Sequence, residues 1–248
     1  MARMISIISG KGGVGKTTVA INLACALGLL NKKVSLVDLN FTTSHLAIEF
    51  GFIPEITLND VLTNNLEIKK AVYPFFNINL IPASLSLSDL NNLELSNLKE
   101  KFEEISTDFD IILFDSAPGF GREALTSIQL SDEAILVSNP ATTSVADIIK
   151  CKSLVSSLGK TVLGVVINRY RKKSFEIEPQ EIANLVELPL LAVIKENENI
   201  LKSEAKRMPF IFYKRNEAEE FIKLACLLTG EEYKKPSFFE KIFSIFKS

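Results

Sequence analysis

The chain has 248 residues, 47% of them apolar and 23% charged, with a net charge of -2. That is enough material for one large core, and the nearly balanced charge leaves only local patches to attract nucleic acid or anionic lipid. Cys25, Cys151 and Cys226 are scattered without CxxC spacing and His45 is the single histidine, which argues against a disulfide framework, a zinc or iron-sulfur site and a Ser-His-Asp triad.

Met4 to Ile8 reads as a buried strand. The stretch after Lys16 carries Ala20, Leu23, Ala24 and Leu27 at helical spacing and closes at Asn31. Further strands are expected at Val34 to Val37, Ile78 to Ile81, Ile111 to Phe114, Ala134 to Val137, Val162 to Ile167 and Leu190 to Ile194. Helical patterns fall near Leu98 to Ile105, Val145 to Leu158 and Glu217 to Leu228. Alternation of this kind predicts an α/β fold, a single domain whose mostly parallel sheet is covered by helices on both faces. Ligands of such sheets sit at the carboxyl ends of the strands, where Gly10, Asp38, Asp115 and Asn168 all fall. The divisions expected are a domain over residues 1–230, a linker over 231–236 and an amphipathic helix over 237–248. The N-terminus has no basic segment followed by a long apolar run, so a cytoplasmic location is expected.

The loop Gly10-Lys11-Gly12-Gly13-Val14-Gly15-Lys16-Thr17, followed by Thr18, fits the phosphate-binding pattern G-x-x-x-x-G-K-[ST] between a strand and a helix. Its glycines let backbone N–H groups curl around phosphates, Lys16 reaches the outer phosphates, and the Thr17 hydroxyl suits magnesium. The start of the helix adds partial positive charge. ATP with magnesium is the expected ligand.

A second lysine, Lys11, stands just after the first glycine, and Lys-Gly-Gly-Val-Gly-Lys-Thr-Thr resembles the deviant Walker A motif of the MinD/ParA family. The resemblance implies that Lys11 reaches the nucleotide of a partner subunit in an ATP-bound homodimer. Val37-Asp38 with the loop to Leu46 and Gly51 resembles the family's first switch segment, and Asp108 to Asp115 with Ala117-Pro118-Gly119 resembles the second. This assigns Asp38 and Asp115, with Thr17, to the metal. Val166-Ile167-Asn168-Arg169 is similar to the segment beside the base, which implies that the Asn168 amide reads adenine. The first switch of the family commonly reads Asp-x-Asp, and the second acid handles the attacking water; here the segment is Asp38-Leu39-Asn40. Asparagine cannot accept the proton, so slow or absent hydrolysis is expected.

At about 100° per residue, Phe238, Phe239, Ile242, Phe243, Ile245 and Phe246 fall within an arc of roughly 160°. Ser237, Glu240, Lys241, Ser244, Lys247 and Ser248 occupy the remainder. So short a segment needs an apolar surface to fold on. It resembles the C-terminal membrane-targeting helix of MinD proteins, which implies docking on the inner face of the cell membrane; the protein's own body or a protein partner would also fit. The whole then reads as a MinD-like spatial organiser for a division site, an archaellum or flagellum, or a cell pole. The basic cluster Arg169-Tyr170-Arg171-Lys172-Lys173 reads first as a solvated loop, and as a phosphate-backbone contact it is the one support for the alternative of a ParA-like DNA-partitioning protein. Cysteine placement disfavours an iron-sulfur carrier of the same superfamily, and an ATP-binding scaffold without useful hydrolysis is a further alternative.

Overall fold

The structure is a computed structural model that describes residues 1–44, 46–86 and 95–234. The amphipathic segment 237–248 and the end of the expected linker lie outside the described residues. In chain order the strands are β1 (Arg3–Ile8), β2 (Val34–Leu39), β3 (Tyr73–Phe75), β4 (Ile78–Ile81), β5 (Ile111–Ser116), β6 (Glu133–Ser138), β7 (Thr161–Tyr170) and β8 (Leu190–Lys195). The α-helices are α1 (Lys16–Leu29), α2 (Leu46–Phe50), α3 (Leu58–Thr63), α4 (Leu98–Ile105), α5 (Arg122–Leu130), α6 (Thr142–Ser157), α7 (Pro179–Val186), α8 (Glu198–Ala205), α9 (Phe210–Tyr213) and α10 (Glu219–Thr229).

The strands form one sheet in the order β3-β4-β2-β5-β1-β6-β7-β8. Every neighbouring pair is parallel except the β3/β4 hairpin. The expected architecture is therefore observed. Strand period decides which side chains go to which face. On β1, Ile5 and Ile7 join the core under α1 and α10, and Ile8 joins the opposite core with α6 and α7. On β5, Ile111 and Leu113 face α1 while Ile112 and Phe114 face the core of α3 and α4.

The helix α1 is apolar almost all the way round because it is covered almost all the way round. Val19, Ala20, Leu23, Ala24 and Leu27 are fully buried between the sheet, α9 and α10. Its one buried amide, Asn22, accepts the backbone N–H of Ile211 (2.9 Å) and donates to the carbonyl of Thr18 (2.8 Å), so the helix is locked to α9 by a satisfied polar contact.

Candidate functional site

The same period places the polar residues of the site. Asp38 follows Val34 and Leu36 by even steps, and Asp115 follows Ile111 and Leu113, so both carboxylates project from the α1 face of the sheet. They stand in register on the adjacent strands β2 and β5. Asn168 follows Val166 on β7 by the same rule. These side chains converge at the carboxyl ends of the strands, where the loop from β1 enters α1.

Lys16 is 6% exposed and its Nζ lies 3.1 Å from Asp115 Oδ1. The Thr17 hydroxyl donates to Asp115 Oδ2 at 2.6 Å. Lys16, Thr17 and Asp115, drawn from positions far apart in the chain, therefore form one contact group. Asp38 is also buried. Its carboxylate accepts the Asn40 N–H (2.9 Å), the Ser44 hydroxyl (2.7 Å) and, at 3.4 Å, the Leu46 N–H that opens α2. Burial first, and then the charge of Asp115, push Asp38 up to about 6 against those hydrogen bonds. Two carboxylates and a hydroxyl beside a phosphate-binding loop suit a hard divalent cation, which takes oxygen ligands and relieves the repulsion between the acids.

Lys11 behaves differently from Lys16. Its side chain is part-exposed, and among the described residues its Nζ has only a long contact, 3.5 Å, to Thr143 Oγ1 in the first turn of α6. Asn40 is engaged within its own loop: Nδ2 donates to the carbonyl of Thr43 (2.9 Å), and Oδ1 accepts the Thr43 hydroxyl (3.0 Å). Thr42, next in the same loop, donates to Glu123 at the start of α5, just beyond the second expected switch segment.

Asn168 is buried, and its Nδ2 donates to the carbonyl of Val14 at 2.8 Å. This approach depends on the next residue of the loop. Gly15 has φ +86°, and a β-carbon there would lie 2.2 Å from Asn168 Nδ2. Gly15→Ala is therefore expected to strain the backbone and push Asn168 off the loop at once, lowering nucleotide affinity by at least about 100-fold, as isothermal titration would read. Parent-like affinity would show that the loop does not need this conformation. Beyond Asn168, a groove is lined by Thr18, Arg169, Lys195, Glu196, Asn197, Ile200 and Glu204.

Sequence reasoning missed Glu49 and Glu204. Glu204 on α8 accepts the Thr18 hydroxyl at 3.2 Å, and burial followed by the charge of Glu204 pushes Glu49 on α2 up to about 8. Glu49 lies in the stretch expected to be the first switch loop and Glu204 in one for which no element was expected, and no motif marks either. Only the packing of α2 and α8 against the first turn of α1 brings them to the site.

Comparison with known proteins agrees with this geometry. A family model described as an AAA domain matches residues 2–165. An uncharacterized ATP-binding protein of Methanocaldococcus jannaschii is 33% identical, with 97% of this chain and 95% of that protein covered. The solved cell division ATPase MinD of Pyrococcus furiosus superposes with a TM-score of 0.88 at 34% identity, covering 93% of this chain and 99% of that one. The septum site-determining protein MinD of Pyrococcus horikoshii, solved in complex with Mg-ADP, gives a TM-score of 0.87 at 34% identity over 92% of this chain and 96% of that one. With its phosphate loop, its pair of strand-end aspartates and this likeness along nearly its whole length, the chain belongs to the MinD/ParA family of P-loop ATPases.

Proposed function

We propose that this protein is a MinD-like organiser that binds Mg-ATP, dimerises over the bound nucleotide and docks on the inner face of the membrane through residues 237–248. The observation that carries the reading is the contrast between two lysines of one loop. Lys16 is buried against Asp115, whereas Lys11 is part-exposed with one long contact. A cation left at the rim of its own site is available to a phosphate group brought by a second subunit.

In this reading Lys16, the loop N–H groups and the N-terminus of α1 neutralise the outer phosphates. Thr17, Asp38 and Asp115 would hold magnesium, which supplies charge neutralisation and orientation of the terminal phosphate. The Mg-ADP complex of the Pyrococcus horikoshii relative supports that pairing of nucleotide and metal. Asn168 and Arg169 flank the base side of the groove. Asn40 occupies the place of the water-handling acid, and with no carboxylate there hydrolysis is slow, so the ATP-bound dimer persists. A positioning role in division, in placing an archaellum or flagellum, or at a pole fits such a long-lived, membrane-seated dimer.

Analytical ultracentrifugation with ATP tests the dimer. The Lys11→Ala variant is expected to keep nucleotide binding within a few-fold of the parent and to lose dimerisation by about 100-fold or more, the usual cost of removing one member of a buried charge pair at an interface. A Lys11→Ala protein that dimerises as well as the parent would overturn the assignment.

A further inference from the structure

We infer that the loop over residues 171–175 is a second membrane contact, one that reads anionic headgroups; the inference rests on the membrane reading of the tail. The loop leaves β7 at Tyr170 and is drawn into a compact turn by Glu176. The Glu176 carboxylate accepts the backbone N–H groups of Arg171 (2.9 Å) and Lys173 (3.1 Å). Glu176 is thereby tied to the backbone of the turn, and Glu178 accepts the Tyr170 hydroxyl (2.7 Å), so neither acid is held by the cationic side chains outside the turn. Arg171, Lys172 and Lys173 are all exposed. Arg171 has a long pairing with Glu196 at 3.8 Å, and among the described residues Lys172 and Lys173 have no carboxylate at ion-pair distance. Phe175 stands 73% exposed beside them.

The position of this loop matters as much as its composition. Glu196 at the end of β8 donates its N–H to the carbonyl of Tyr170, so the loop starts at the edge of the sheet. A cavity of about 490 Å³ there is lined by Tyr170 and Lys195 on one side and by Glu219, Glu220 and Phe221, in the first turn of α10, on the other. The far end of α10 leads to Glu231 and Lys234, beside Leu29 and Leu30 at the end of α1. The basic loop and the point from which the tail departs therefore lie near the two ends of one helix of 11 residues, roughly 16 Å long.

One short apolar segment gives only marginal membrane affinity, and stable attachment takes a second signal such as a basic patch. Each cation held near an anionic surface adds a roughly equal increment. The shape favours lipid over nucleic acid. A duplex backbone is gripped by cations alone and gives an exposed phenyl ring nothing to enter, whereas Phe175 beside the cations can sink into the headgroup boundary of a bilayer.

The test is co-sedimentation of the full chain with ATP on two kinds of vesicle, phosphatidylcholine alone and phosphatidylcholine mixed with phosphatidylglycerol, with ATP binding followed as the control for folding. Lys172→Glu combined with Lys173→Glu is expected to weaken binding to the anionic vesicles by about tenfold or more and to leave the neutral vesicles unaffected. The tail variant Phe243→Asp is expected to retain a weak recovery confined to anionic vesicles and removed by high salt. If the double lysine variant binds anionic vesicles like the parent while Phe243→Asp does not, the inference falls and the tail reading stands. Unchanged recovery of Phe243→Asp overturns the tail reading and the second contact with it. Loss of DNA retention by the double variant with vesicle binding intact would give the surface to nucleic acid and overturn the inference.

Discussion

Asn40→Asp is expected to raise single-turnover ATP hydrolysis at least about tenfold, and up to the 10²- to 10⁴-fold that a positioned general base supplies. The structure gives this substitution a second effect beyond charge. The Asn40 amide donates to the Thr43 carbonyl and accepts the Thr43 hydroxyl, which ties it into the turn. An aspartate keeps the hydroxyl bond, but its second oxygen would face the Thr43 carbonyl as acceptor against acceptor. That repulsion favours a carboxylate swung away from the turn and free to take a proton from water. Ground-state ATP affinity should change little, because the proposed phosphate contacts lie in the loop and on Lys16. Rapid-quench measurement on the two proteins decides the matter. Equal rates would refute the assignment, and brisk hydrolysis by the present sequence would place water activation on another group.

Lys16→Ala is expected to lower ATP affinity by at least about 100-fold and to destabilise the protein even without nucleotide. Lys16 and Asp115 are 6% and 2% exposed, so truncating the lysine strands a buried carboxylate that among the described residues keeps only the Thr17 hydroxyl as a side-chain partner. Breaking a buried pair from one side costs about 3–5 kcal/mol. In a chain of this size that corresponds to a fall of about 6–20 °C in melting temperature. The two losses are separable. Lys16→Met with Asp115→Leu removes both charges, so most of the stability should return while nucleotide affinity stays at least about 100-fold below the parent's. Scanning calorimetry of the single and double variants provides the check. A Lys16→Ala protein that melts with the parent would show that the ion pair contributes nothing to the fold.

Much of the architecture was legible because local patterns and global fold agree. The glycine loop between an apolar strand and an apolar helix has few other physical meanings, and Leu98–Ile105 forms the helix its spacing predicts. The ends of β5 and β2 were readable from β-branched and apolar runs closing on Asp115 and Asp38. The shorter elements were not legible. The edge strand Tyr73–Phe75 contains a proline and has three residues, too few to display a period. The helix Leu46–Phe50 exists because Asp38 accepts the Leu46 N–H and because Leu46, Ala47 and Phe50 have a core to enter. A five-residue helix has no stability of its own to announce in the sequence.

The site divides in the same way. The sequence by itself determined that residues 10–17 have the pattern of a phosphate-binding loop, that a lysine and a threonine end it, and that two acids stand at strand ends beside it, since each follows from residue type and immediate neighbours. Only the tertiary structure decided which of these groups meet. The parallel register of β2 and β5 sets Asp38 beside Asp115, the entry of α1 over that pair buries Lys16 against it, and the β7 strand brings Asn168 onto the Val14 carbonyl. It also decided that Lys11 stays at the rim and that Glu204 on α8 meets Thr18, contacts between residues 132 and 186 positions apart. Pairings of that kind come from packing whole elements on a sheet, and local sequence carries no record of them.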